Sequence, residues 1–165
     1  MVKLYTSRYQ NPELKSGDYT PVGITLGRPK FKLGYDLFGN IYDIAPSKDL
    51  FGKGYPKEVY TKLYFEKMDR IGVDRVRRQL DKYRAFGKPV VLLCYEDLRD
   101  ETLFCHRTCF AQWWEMRTGE KVEELHDTSV FKPKKSVTKD KNSEIKKEAK
   151  KAIIDDMLEE QMSLF

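Results

Sequence analysis

Residues 2–9, VKLYTSRY, mix apolar and polar positions over a strand-length run and predict a first strand. NPELKSGDYTP, residues 11–21, is dense in turn formers and reads as a loop. VGITL, residues 22–26, is a second apolar run of strand length, closed by Gly27 and Pro29. From Lys30 to Tyr55 the pattern is irregular, rich in Gly, Tyr and Phe. It predicts a long, partly ordered excursion of the kind that covers a site in an α/β domain.

Pro56 opens a helix where its missing N–H costs nothing. Tyr60, Leu63, Tyr64, Met68 and Ile71 follow at helical spacing. A second helix begins near Asp74, carries Val73, Val76, Leu80 and Tyr83 on one side, and stops at Gly87. Its arginines read mainly as a solvated face, with a phosphate-facing patch as the lesser alternative. KPVVLLCYE is apolar without alternation, as a parallel strand buried on both faces would be. A helix from about Thr108 presents Cys109, Phe110, Trp113 and Met116 and ends at Gly119, and KVEEL supplies a last short strand. Strands separated by helices predict a small, doubly wound, mostly parallel α/β sheet with helices on both faces, followed by a linker and a helical tail.

Charge divides the chain. Residues 1–130 hold 22 Lys+Arg and 19 Asp+Glu, a mildly basic body. Residues 131–151 hold nine Lys against three acidic residues, whereas residues 152–165 hold four acidic residues and no Lys or Arg. Such block segregation marks a solvated interaction tail. The expected organisation is a domain over 1–130, a lysine-rich linker over 131–143 and a helical tail over 144–165. No apolar run is long enough to cross a bilayer and no signal peptide opens the chain, so the expected compartment is the cytoplasm. There free thiols are favoured over disulfides for the three Cys.

VVLLCYE followed by CHR and a Trp-rich helix resembles domain-of-unknown-function family 488, an α/β group of bacterial and viral proteins. YTSRY, ITLGRPKF and VYTKLYFEKM extend the likeness over roughly residues 2–127, and LLCYE…CHR is its most specific part. The resemblance implies a fold more than an activity.

Candidate chemistry follows from the rule that ligands of open α/β sheets bind beyond the carboxyl ends of the strands. Thr6, Ser7 and Arg8 follow the first strand, Arg28 the second and Glu96 the central one. Cys105, His106 and Arg107 fall at or just before a helix N-terminus, where backbone N–H groups and guanidinium groups favour an anion and lower a thiol pKa. Ser7, Arg8, Arg28 and Arg107 are thus candidate anion ligands, and Glu96, Cys105 and His106 candidate catalytic groups. Each has a structural alternative: Cys94 and Cys109 as small core residues, His106 as a helix-start or loop hydrogen-bonder, and Glu96 as a bridge to Arg107. Cys94, Cys105, Cys109 and His126 lack metal-site spacing, so neither metal nor cofactor is expected. No glycine-rich phosphate loop, GxSxG elbow or HExxH is present.

The chain ends QMSLF. Gln161, Met162, Ser163, Leu164 and Phe165 match, at every position, the peptide by which bacterial replication and repair proteins attach to the DNA polymerase sliding clamp. Leu164 and Phe165 would fill an apolar pocket, Met162 a shallower one, and the Gln161 amide would orient the backbone. The sliding clamp is therefore an expected partner, with DNA or a nucleotide as a second. The function this implies is a clamp-tethered accessory protein of DNA metabolism that binds, and in one version processes, a nucleotide or nucleic-acid group. The alternatives are a non-catalytic, phage-type clamp-binding inhibitor, and a cytosolic small-anion enzyme or thiol redox sensor with an incidental tail.

Overall fold

Val90–Cys94 forms the central strand of a five-stranded parallel sheet in this computed structural model, which describes residues 1–133 together with Lys151 and Ile154. In chain order the strands are β1 (Leu4–Arg8), β2 (Thr20–Gly23), β3 (Gly39–Asn40), β4 (Val90–Cys94) and β5 (Glu123–Glu124). The helices are α1 (Lys57–Ile71), α2 (Val73–Arg84) and α3 (His106–Thr118). The sheet order is β3-β2-β4-β1-β5, with β4 paired to β1 through Leu4↔Val90 to Arg8↔Cys94 and to β2 through Thr20↔Val90 to Gly23↔Leu93. Residues 1–131 form one compact unit. Gln161–Phe165 and nearly all of the predicted linker and tail lie outside the described residues.

Alternation along β4 builds two cores. Val90 and Leu92 join Leu4, Val22 and Ile24 against the helices, where Tyr64, Met68, Val76, Leu80, Phe110, Trp113 and Trp114 close the layer. Val91 and Leu93 face the other way, onto Tyr9, Leu14 and Leu125. That second face is covered by a 3-10 turn over Pro12–Ser16 and by Leu33, Tyr35 and Leu37 of the excursion. The three α-helices therefore share one face, where the pattern predicted helices on both, and irregular chain with one 3-10 turn covers the other.

Local departures from the predicted elements have simple causes. Strand β2 starts at Thr20 and takes in Pro21, although proline cannot donate to a ladder and its neighbours are turn formers. Its carbonyl still accepts from Phe38 N–H at 2.9 Å. Strand β3 consists of Gly39 and Asn40, residues with low strand propensity. Gly39 is required there because a Cβ would collide with the Tyr83 hydroxyl. Helix α3 begins two residues earlier than expected, because Cys105 takes the extended N-cap conformation without a side-chain cap.

Helices α1 and α3 are tied by Asp69, which accepts from Trp113 Nε1 at 2.9 Å and from Arg117 Nε and Nη2 at 2.9 Å each. The bonds from Arg117, then Trp113, hold the Asp69 carboxyl down at about 2, below its ordinary value. A depressed carboxylate stabilises the fold above its unfolded pKa of about 4, and that contribution is lost as pH falls toward the folded value. The stability gap between wild type and Asp69→Asn should accordingly narrow between pH 5 and 2 in urea titrations (about the range spanning both pKa values). A gap independent of pH would contradict this. In the core, Leu92→Ala should cost about 2–5 kcal/mol, whereas Val130→Ala at an exposed site should stay within about 0.5 kcal/mol.

Candidate functional site

Three chain segments end at one level on the carboxyl edge of the sheet. Strand β4 stops at Cys94, β2 runs out through Ile24 and Thr25, and α3 begins at His106. Between them lies a cavity of about 600 Å³. Its aromatic lining comes from Phe31, Phe51, Tyr60, Tyr95 and Phe104. Arg28 and Lys30 bring positive charge, and Cys94, Glu96, Cys105 and His106 bring ionisable groups.

The wall nearest β2 is fixed by hydrogen bonds. The Thr25 hydroxyl meets the Tyr9 hydroxyl at 2.7 Å and donates to Gly27 O at 2.7 Å. Tyr95 donates to the same carbonyl at 2.8 Å, and Asn40 Nδ2 donates to Thr25 O at 3.0 Å. Burial raises the Tyr9 phenol to about 12, so it stays protonated. Gly23 lets these groups converge, since a Cβ there would stand 2.7 Å from the Tyr9 hydroxyl oxygen. Elsewhere in the lining Tyr60 stacks on Tyr64, with ring planes 10° apart, and meets Phe104 edge-on.

Cys94 occupies the helix-facing parity of β4, but it is the last strand residue, so its side chain reaches the start of α3 rather than the middle of the core. Its sulfur is paired with that of Cys105 as a disulfide, which corrects the expectation that these two cysteines are free thiols. The pairing also corrects the expectation that Cys94 is simply a packed core residue. Cys105 Sγ lies 3.4 Å from His106 Nδ1. His106 Nε2 lies 2.5 Å from the Ile24 carbonyl oxygen, which can only accept. Nε2 thus carries the proton and Nδ1 presents a lone pair to the sulfurs. Burial, foremost, pushes the His106 pKa down to about 4, which keeps the ring neutral at pH 7. Glu96 Oε2 stands 3.2 Å from Cys94 Sγ. Cys109, the remaining cysteine, is buried in the helical core as expected, against Thr61.

The candidate anion ligands separate. Arg28 lines the cavity with Glu96, Cys105 and His106, whereas Arg8 and Arg107 border a second hollow of about 300 Å³ with Arg99, Asp97, Glu124 and Asp127. Arg8 Nε donates to Asp127 at 2.6 Å, and its Nη2 donates to Ser129 at 2.9 Å. Arg107 is 1% exposed and donates to Glu124 through Nε and Nη2, at 3.1 and 2.8 Å. Its Nη1 donates to Cys94 Sγ at 2.9 Å and to the Glu96 carbonyl at 2.8 Å. The carboxylate partner of Arg107 is therefore Glu124, not Glu96. Ser7 is buried and accepts from Asn11 Nδ2 at 3.0 Å. These three residues have internal partners that compete with any external anion.

The spacing of Cys94, Cys105, Cys109 and His126 gave no reason to expect a metal. The structure instead brings Cys94, Cys105 and His106 together, their ligand atoms all within 4.8 Å of one another. His126 is exposed beside the second hollow. The aromatic lining also escapes sequence reading, because Phe31, Phe51 and Tyr60 carry no motif.

The chain was compared with protein-family models, curated proteins and solved structures, and none matches.

The two kinds of arginine should separate in stability measurements. Arg107→Met removes the charge-assisted bonds of a buried guanidinium and should cost about 1.5–3 kcal/mol. Arg28→Met, at an exposed position, should stay within about 0.5 kcal/mol. Equal costs in urea denaturation would contradict the division.

Proposed function

We propose that residues 1–131 bind a nucleotide, free or at the end or in a flipped-out position of a nucleic acid, and that the C-terminal peptide brings this domain to the sliding clamp. The observation that carries the first half is the composition of the 600 Å³ cavity: five aromatic rings in its lining, together with Arg28 and Lys30. Aromatic side chains take a base by stacking, and guanidinium and ammonium groups take its phosphate. The cavity's size suits a small molecule, and its place beyond the carboxyl ends of β2 and β4 is where open α/β sheets bind ligands. Glu96 and the Cys94–Cys105–His106 group supply acid–base and nucleophilic atoms against the same space.

The second half rests on the sequence. QMSLF fits the clamp-binding pattern, and a modest-affinity peptide would raise the domain's local concentration at DNA. The likeness of LLCYE…CHR to family 488 belongs to this reading as a proposed kinship.

Calorimetric titration of the full chain with nucleoside monophosphates and the matching nucleosides tests the cavity. Tyr60→Ala should weaken both kinds of ligand, by about 1–3 kcal/mol for lost stacking. Arg28→Gln should weaken only the phosphorylated ligands, by about tenfold or more. Absence of binding across the panel would remove the proposal. Separately, a peptide of residues 155–165 should bind a bacterial clamp, and Phe165→Ala should abolish that binding; equal affinities would remove the tether.

A further inference from the structure

The cavity floor holds three soft or borderline metal ligands from two segments: Cys94 Sγ at the end of β4, and Cys105 Sγ with His106 Nδ1 at the start of α3. We infer that, in the chain reduced by a thiol, Cys94, Cys105 and His106 bind one zinc-class divalent cation through two thiolates and one imidazole, leaving a fourth position open to the cavity. The inference does not depend on a nucleotide occupying that cavity.

Four observations bear on it. First, the Cα atoms of Cys94 and Cys105 are 7.7 Å apart, beyond the roughly 4.4–6.8 Å that disulfides span. The backbone would have to move to hold a relaxed disulfide. A tetrahedral metal with Zn–S bonds of about 2.3 Å sets two sulfurs about 3.8 Å apart, which such a wider backbone spacing suits. Secondly, His106 is held as a metal-binding histidine is held. Its Nε2 is anchored to the Ile24 carbonyl at 2.5 Å, so Nδ1 points its lone pair at the sulfurs. Thirdly, Arg107 Nη1 donates to Cys94 Sγ at 2.9 Å, and Cys105 stands at the N-terminus of a thirteen-residue helix. Both features favour thiolates, which are the forms that bind metal.

Finally, the donor set selects the metal class and the kind of site. Two thiolates with one imidazole suit zinc, and three protein ligands with a free position are the pattern of catalytic rather than structural zinc. Glu96 stands beside the group, with Oε2 3.2 Å from Cys94 Sγ, but does not belong to it. A zinc held there would supply a Lewis acid facing the cavity, with the Glu96 carboxylate beside it.

The test uses the full chain, reduced and freed of metal, then titrated with zinc alone and with cobalt(II) as a spectroscopic probe. The expected result is one metal per chain, and a cobalt complex with sulfur-to-metal charge transfer and the intense visible bands of tetrahedral geometry. Cys94→Ser, Cys105→Ser and His106→Ala should each weaken zinc binding by about 100-fold or more. Cys109→Ala and Glu96→Gln should retain one zinc per chain. Variant folding is checked by circular dichroism, and the wild-type cobalt spectrum tests the donor set even where a variant fails to fold. The inference is overturned if the reduced wild-type chain binds no zinc, or if its cobalt complex lacks sulfur charge transfer. It is overturned equally if folded ligand variants bind as wild type does, or if Glu96→Gln loses the metal and so makes Glu96 the fourth ligand.

Discussion

The burial of β4 on both faces and along both edges is the constraint on which the rest of the molecule depends. Val90 to Cys94 are each no more than 1% exposed. Parallel neighbours satisfy their backbone groups on both sides. Burying five consecutive apolar side chains contributes to the hydrophobic drive of both cores at once. It also leaves no freedom of register, because a one-residue slip would exchange the contents of the two cores. The position of Cys94, at the end of this strand and on the helix side, follows directly.

Once that end is fixed, the site assembles from what surrounds it. Helix α3 packs its Trp113 and Trp114 into the core, and this packing sets the level at which its first turn meets Cys94. His106 then reaches across to Ile24 at the end of β2. Charge is sorted in the same way. Arg8, Arg99 and Arg107 are matched by Asp127, Asp97 and Glu124 around the smaller hollow. Arg28 and Lys30 instead line the larger cavity, where a ligand would meet them. No helix among the described residues is long and apolar enough to cross a membrane.

Much of this fold could be read from periodicity and punctuation. VVLLC declared a doubly buried strand because it lacks alternation, and Pro56 and Gly119 marked helix ends because proline and glycine act through the backbone alone. What escaped was set by tertiary contact. Gly39–Asn40 is a strand because Tyr83 and β2 hold it there, and Pro21 joins a strand because the position needs its carbonyl more than an N–H. At the site, the strand-end rule placed Arg28, Glu96, Cys105 and His106 on one rim, and these four do line one cavity. It could not foresee that Arg8 and Arg107 find internal partners in Asp127 and Glu124, which are distant in sequence, or that the neighbouring Asn11 turns back onto Ser7. The Cys94–Cys105 approach was hidden for another reason: the two cysteines lie eleven positions apart, and no local spacing rule spans that loop.

The cavity proposed to take a base and phosphate shares its lining with Cys94, Cys105, His106 and Glu96. The central claim is that the edge where β4 meets α3 is a reactive centre and not just a packed corner. Diffraction from crystals of the full chain grown with zinc, recorded on both sides of the zinc absorption edge, tests this most directly. The account predicts one strong anomalous peak within bonding distance of Cys94 Sγ, Cys105 Sγ and His106 Nδ1, with its fourth side open to the cavity. A map of the reduced chain with no peak there would contradict it.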